Sequence, residues 1–190
     1  MTELLKGIDM DIKKGITYIA FGFLFTLVNI NLTVNGATLN ITPDFVGRIL
    51  MFFAFDKLNG YMEGKDYMKW IALILAIMTG VIWICGLVKP ELNIEIVKTI
   101  VSVLEVAYMF VLFGILEKIA RDHAPAFEKN ISILKIVNLV LYIAFFVTAL
   151  LAAQDQETYA MLAFVFGTAM LVSAIITAVT LIKFSIAIEN

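Results

Sequence analysis

Three ionisable residues, Asp44, Arg48 and Glu105, stand inside apolar runs, where a charge must find a partner or give up its ionisation. Glu105 is ~18 Å of helix away from Glu117, the acid that closes the same run, which puts it deep in a hydrocarbon layer if the run spans one. Carboxylates at such depth face a bundle interior and mark ion paths, proton relays or solute sites. Asp44 and Arg48 are one helical turn apart, the spacing at which an acid and a base share a face. Arg48 lies ~12 Å along the helix from Asp56, so its guanidinium should turn inward and be neutralised by Asp44 or Glu105. A bland chemistry competes at each position. A neutral Glu105 could bond to Tyr108, Asn138 or Tyr142 as packing glue. Thr42-Pro43-Asp44 also reads as a helix start, with Thr42 as N-cap, Pro43 in the first position and Asp44 near the positive dipole end. Capping leaves Arg48 unexplained.

The elements that must hold these residues follow from composition. Of 190 residues 62% are hydrophobic and 16% charged, a balance that excludes an ordinary soluble globule or a disordered chain. A net charge of -2 speaks against nucleic acid, and the single Cys85 against a disulfide scaffold. A multi-pass membrane protein remains. A helix needs about 20 apolar residues to cross ~30 Å of hydrocarbon. That length predicts an all-α, single-domain bundle of six spans in three hairpins, at about 16–34, 43–58, 70–88, 92–119, 133–152 and 158–183. The runs are continuous rather than alternating, which excludes a barrel. Residues 1–15 read as an interfacial amphipathic helix, with Met1, Leu4, Leu5, Ile8 and Ile12 on one face.

Positive charge sets an orientation. Lys6, Lys13 and Lys14 precede the first span, Lys57, Lys65 and Lys69 follow the second, Lys118, Arg121, Lys129 and Lys135 surround the fourth connection, and Lys183 ends the sixth. The opposite connections hold Lys89 alone, so both termini are expected on the cytoplasmic side. The second span is short and charged, but without it the Lys57 and Lys118 clusters would both lie outside. The fourth is long, and its Glu95 and Lys98 end is expected to project from the outer face.

An offset of 61 residues superposes Asp44 on Glu105, Asp56 on Glu117 and Lys57 on Lys118, a match that the third hairpin does not continue and that either a two-helix repeat or the common placing of charges at membrane helix ends explains. The stretch Ile41-Thr42-Pro43-Asp44-Phe45-Val46-Gly47-Arg48-Ile49-Leu50, closed by Asp56-Lys57-Leu58, resembles a Pro-Asp-x-x-Gly pattern at the second span of small multi-span proteins of bacterial membranes. Arg48 departs from that pattern, where an apolar or aromatic residue is expected. The resemblance implies a bacterial cytoplasmic (inner) membrane location and no particular chemistry.

No nucleophile elbow, phosphate loop or His-Glu-x-x-His pair is present, and one histidine with one cysteine cannot assemble a zinc or haem site. No enzyme activity, cofactor or metal is expected. His123 reads as a solvated loop residue, while Asn29, Asn31 and Asn138 read as interhelical hydrogen bonders. The rows Ala163, Gly167, Ala174, Ala178 and Ala169, Ser173, Thr177 mark close helix packing. The expected function is a non-enzymatic membrane component whose partners are lipid and another membrane protein or a second copy. The alternative is a small-solute or proton-coupled transporter built on Glu105, Arg48 and Asp44.

Overall fold

The computed structural model describes residues 2–27, 31–34, 37–40, 43–62, 64–88, 95–152 and 156–188. Six helices carry the fold: α1 (Thr2–Leu27), α2 (Asp44–Lys57), α3 (Tyr67–Val88), α4 (Glu95–His123), α5 (Glu128–Ala152) and α6 (Gln156–Ala187). Short 3-10 turns at Asn59–Tyr61 and Pro125–Phe127 follow α2 and α4. Each helix packs on its neighbours in sequence and α6 returns to α1, so the six close into a ring. Side chains of α4 reach across that ring, Phe113 edge-on to Phe23 at 5.5 Å and Tyr108 edge-on to Phe55 at 6.2 Å.

Helical periodicity decides which faces meet. In α1 the buried apolar side chains are Ile12, Ile16, Ile19, Ala20 and Phe23, and in α3 the buried residues are Met68, Ala72, Leu75, Ala76 and Thr79. The opposite faces are apolar too: Ile74, Ile77, Val81 and Ile84 of α3 and Phe164, Val172, Ile176 and Val179 of α6 are exposed. An outward apolar belt of this extent belongs against lipid rather than water. Among the described residues four helices, α3 to α6, are long and apolar enough to cross a membrane, which fits a membrane protein. The other two fall short for physical reasons. Asp9, Asp11, Lys13 and Lys14 charge the first half of α1, while α2 measures only ~21 Å and carries Asp44, Arg48, Asp56 and Lys57.

The first span departs from expectation at its far end. Residues 31–34 are not helical; they form β1 (Asn31–Val34), antiparallel to β2 (Ala37–Asn40), with Asn31 opposite Asn40 and Val34 opposite Ala37. The sequence between them, which lies outside the described residues, is Asn-Gly, a dipeptide strongly favoured between hairpin strands. The interfacial segment is not a separate helix either, because α1 runs unbroken from Thr2 to Leu27 and buries Ile12.

Charges gather at one end of the ring. Asp11 pairs with Lys57 at 3.1 Å, Asp56 with Lys69, Glu117 with Lys135 at 3.4 Å, and Arg121 with Glu128 at 2.8 Å. The start of α1 therefore shares an end with the last turns of α2 and α4 and the first turns of α3 and α5. His123 corrects its expectation: it is the last residue of α4, with Nδ1 3.2 Å from Asp9 and Nε2 bonded to the Tyr61 hydroxyl. It clamps the start of α1 and the turn after α2 to the end of α4.

Candidate functional site

The site is built where α2 begins. Pro43 holds the extended backbone of an N-cap, φ -70° and ψ 128°, and Asp44 is the first helical residue. This shifts the expected cap by one residue: Pro43 takes the position assigned to Thr42, which lies outside the described residues, and supplies no side-chain cap. Gly47 then draws α2 against α1. A Cβ on Gly47 would meet the carbonyl oxygen of Gly22 and come within 2.6 Å of Thr26 Cγ2, and one on Gly22 would come within 2.9 Å of the Gly47 oxygen. The glycines of the two helices are thus the reason the backbones can touch. With Gly47 and Met51 against Gly22 of α1, the face of α2 that carries Asp44, Arg48 and Phe55 turns towards α4.

Arg48 is 1% exposed and Glu105 17%, and Nη2 of the guanidinium lies 2.6 Å from Oε1 of the carboxylate. Arg48 also donates from Nη1 to the sulfur of Met51 at 3.7 Å and stacks over the Tyr108 ring at 5.5 Å. The expectation that Arg48 turns inward to an acid therefore resolves onto Glu105, across the ring, rather than onto Asp44 in its own helix; among the described residues Asp44 has no ion pair. Burial of this pair is costly unless its remaining polar atoms are satisfied. They are not all satisfied. Arg48 Nε, the Tyr108 hydroxyl and Asp44 Oδ1 are buried without a hydrogen-bond partner among the described residues.

Two cavities meet at the acids. One, of about 330 Å³, lies between α2, α3 and α4 and is lined by Asp44, Thr79, Trp83, Lys98, Ser102 and Glu105 among others. The second, of about 200 Å³, is lined by Asp44, Ser102 and Glu105 together with Thr26, Tyr142, Phe146 and Met170. Asp44, Ser102 and Glu105 belong to both. Their level explains the recess: Glu105 lies ~20 Å from Lys118 at the charged end and Asp44 ~20 Å from Lys57, whereas α4 continues ~15 Å beyond Glu105 to Glu95. The shorter α2 stops at the acids while its neighbour rises past them.

The residues read from the sequence divide into two groups. Asp44, Arg48, Glu105, Tyr108 and Tyr142 come together, Tyr108 under the Arg48 guanidinium and Tyr142 in the wall of the smaller cavity with Asp44 and Glu105. Asn138 does not join them. It is buried in the seam of α5 and α6, where Nδ2 donates to Thr177 Oγ1 at 3.0 Å and to the Leu134 carbonyl at 2.9 Å, and Oδ1 accepts from Ser173 at 3.0 Å. Of the other asparagines, Asn29 lies outside the described residues and Asn31 begins β1. Ser102, Thr79, Trp83 and Thr26 do not stand out in the sequence. The spacing Lys98, Ser102, Glu105 repeats one face of α4 and is the signal that could have found Ser102. Lys98 lines the larger cavity, so its side chain is part of the recess. No group of three or more potential metal ligands occurs among the described residues.

No protein-family profile, curated protein or solved structure matches this chain, which leaves the geometry of the site to speak for its chemistry.

Proposed function

We propose that this protein is a small-solute or proton-coupled carrier of a bacterial cytoplasmic membrane, crossing it six times with both termini inside, and that Glu105, Arg48 and Asp44 form its coupling site. The observation that carries the reading is the pair of cavities meeting at Asp44 and Glu105, beside a buried guanidinium. A dry bundle held by a hydrogen-bonded glutamate would need no such space. One buried arginine pairs with Glu105 and leaves Asp44 without an ion pair among the described residues, so a proton or a cation at Asp44 completes the balance of charge. Protonation of Glu105 removes the charge that neutralises Arg48 and releases the guanidinium towards Asp44, one helical turn away. That exchange gives two states whose balance follows occupancy of the site.

Six crossings are supported by the closed ring, by the alternation of helix ends, and by the lysines expected inside gathering at one end. In this reading α1 and α2 cross as a close pair, and the hairpin of β1 and β2 stands at the outer face, because strand edges are not tolerated in lipid.

A second reading, a non-enzymatic component acting through contacts with another membrane protein, draws on a different feature. A cleft of about 650 Å³ between the outer faces of α5 and α6, lined by Val137, Leu141, Phe164, Val165 and Ile176 among others, is almost wholly apolar and suits a transmembrane helix or lipid.

Flux separates the two. Purified protein in liposomes under an imposed pH gradient should dissipate the gradient, and Glu105→Gln, which keeps shape and hydrogen bonding but cannot titrate, should abolish this. Equal flux in both proteins, or none in either with both folded, would overturn the carrier reading.

A further inference from the structure

We infer that the two adjacent cavities that share Asp44 and Glu105 form the two lobes of a site for an amphipathic organic cation, an ammonium group attached to a compact apolar or aromatic body. The inference rests on the carrier reading for the site's role and extends it to the class of ligand. Charge comes first. The Arg48 guanidinium is committed to Glu105 at 2.6 Å, and Lys98 is itself partnered. Asp44 lines both lobes and has a buried oxygen, Oδ1, with no hydrogen-bond partner among the described residues. A carboxylate in that condition is satisfied by a donor that brings positive charge, and an anion would meet it unfavourably.

Shape supplies the rest. The smaller lobe, about 200 Å³, is walled by Val106, Tyr142, Phe145, Phe146 and Met170, so beyond the acids it offers rings, a thioether and aliphatic carbon. Aromatic faces and a polarisable sulfur suit both a cation and an apolar body attached to it. Apolar lining with a few convergent polar groups is the usual make-up of a small-molecule pocket. The larger lobe, with Thr79, Ser102 and Lys98, is more polar and gives the hydrated side of entry. Thr79 spends its hydroxyl on the Leu75 carbonyl at 2.7 Å, whereas Asp44 offers the ammonium a buried carboxylate oxygen that has no partner among the described residues.

The test uses the purified full-length chain in detergent micelles and calorimetric titration with phenethylammonium chloride, with 2-phenylethanol as the neutral analogue. Saturable binding at one site is expected, weakened at least tenfold by Asp44→Asn and at least tenfold in the alcohol. Phe146→Leu, which removes a ring but little volume, should weaken phenethylammonium several-fold and decides the matter if Asp44→Asn does not fold. Equal binding of amine and alcohol, or amine binding unchanged in the folded Asp44→Asn protein, would overturn the inference by pointing to micelle partition or the outer cleft. Absence of amine binding alongside Glu105-dependent proton flux would overturn it too and leave the carrier reading standing. Absence of both would remove both. Amine binding without flux would keep the cation site and remove the carrier.

Discussion

Arg48 is the largest fully buried side chain among the described residues, and replacing it by methionine tests the ion pair at the centre of the ring. In Arg48→Met the new side chain fits among Met51, Phe55 and Tyr108, but Glu105 keeps a carboxylate with 17% exposure and no cation within 2.6 Å. Breaking a buried pair from one side costs about 3–5 kcal/mol, a fall of roughly 150- to 5,000-fold in the ratio of folded to unfolded protein. Glu105→Gln is gentler. Its amide oxygen can still accept from Nη2, and Asp44 is one turn away to take the charge, so the loss is that of a charge-assisted bond reduced to a charged–neutral one, about 1–2 kcal/mol. The double variant Arg48→Met/Glu105→Leu removes both charges and should return to within about 1 kcal/mol of the parent or exceed it. Unfolding of the purified proteins in micelles, followed by circular dichroism, gives the order Arg48→Met least stable, Glu105→Gln next, double variant and parent together. The single Glu105→Leu closes a double-mutant cycle with Arg48→Met and the double variant, and that cycle has to show coupling between the two sites. A parent-like melt for Arg48→Met, or a double variant no better than Arg48→Met, would refute the claim that these two groups neutralise one another in the interior.

Gly47→Ala should destabilise the protein by about 3 kcal/mol, the upper range for overpacking, because its Cβ would run into α1 backbone at Gly22 rather than into a yielding side-chain tip. The same melts check it, and Gly86→Ala, which meets nothing, serves as the neutral control. Asn138→Ala breaks the link from α5 to Ser173 and Thr177 and should cost about 1 kcal/mol while leaving proton flux at the parent level, since Asn138 is not at the acids. Tyr61, at the charged end, has its phenol pushed up by burial first and then by Asp122 and Asp9. A raised folded value means that its share of stability is whole below the ordinary phenol value of about 10 and is lost as pH climbs past it. Melting temperatures measured from pH 9 to 12 should therefore fall less in Tyr61→Phe than in the parent, and parallel curves would remove Tyr61 from the clamp.

Much of this arrangement is legible in the residues because lipid imposes few solutions. Length and apolarity locate α3 to α6 within a few residues, and the expense of a buried guanidinium is by itself enough to send Arg48 to an acid. Which acid is not legible, because sharing a helix face with Asp44 says nothing of how α2 is rotated; the contact of Gly47 with Gly22 sets that rotation and hands Arg48 to Glu105. The hairpin hides because Leu32, Val34, Ala37 and Leu39 add to an apolar count as readily in a strand as in a helix, while Asn35-Gly36 between alternating residues carries the better signal. His123 reads as solvated through its neighbour Asp122, yet its partners, Asp9 and Tyr61, come from elements that only the closed ring brings to it. Asn138 keeps its expected chemistry, an interhelical hydrogen bond, but on the face of α5 that meets α6.

A carrier built on these acids needs solvent to reach a charged site inside a membrane-crossing bundle. Ser102 lines both cavities between Lys98 and Glu105, so a single cysteine there, Ser102→Cys in a Cys85→Ala background, reports on it directly. In sealed inner-membrane vesicles of known orientation, a membrane-impermeant thiol reagent supplied to the outer face should label this position, and the same reagent supplied only to the cytoplasmic face should not. A folded variant that resists labelling from the outer face until detergent is added would contradict the account and describe a dry, structural bundle instead.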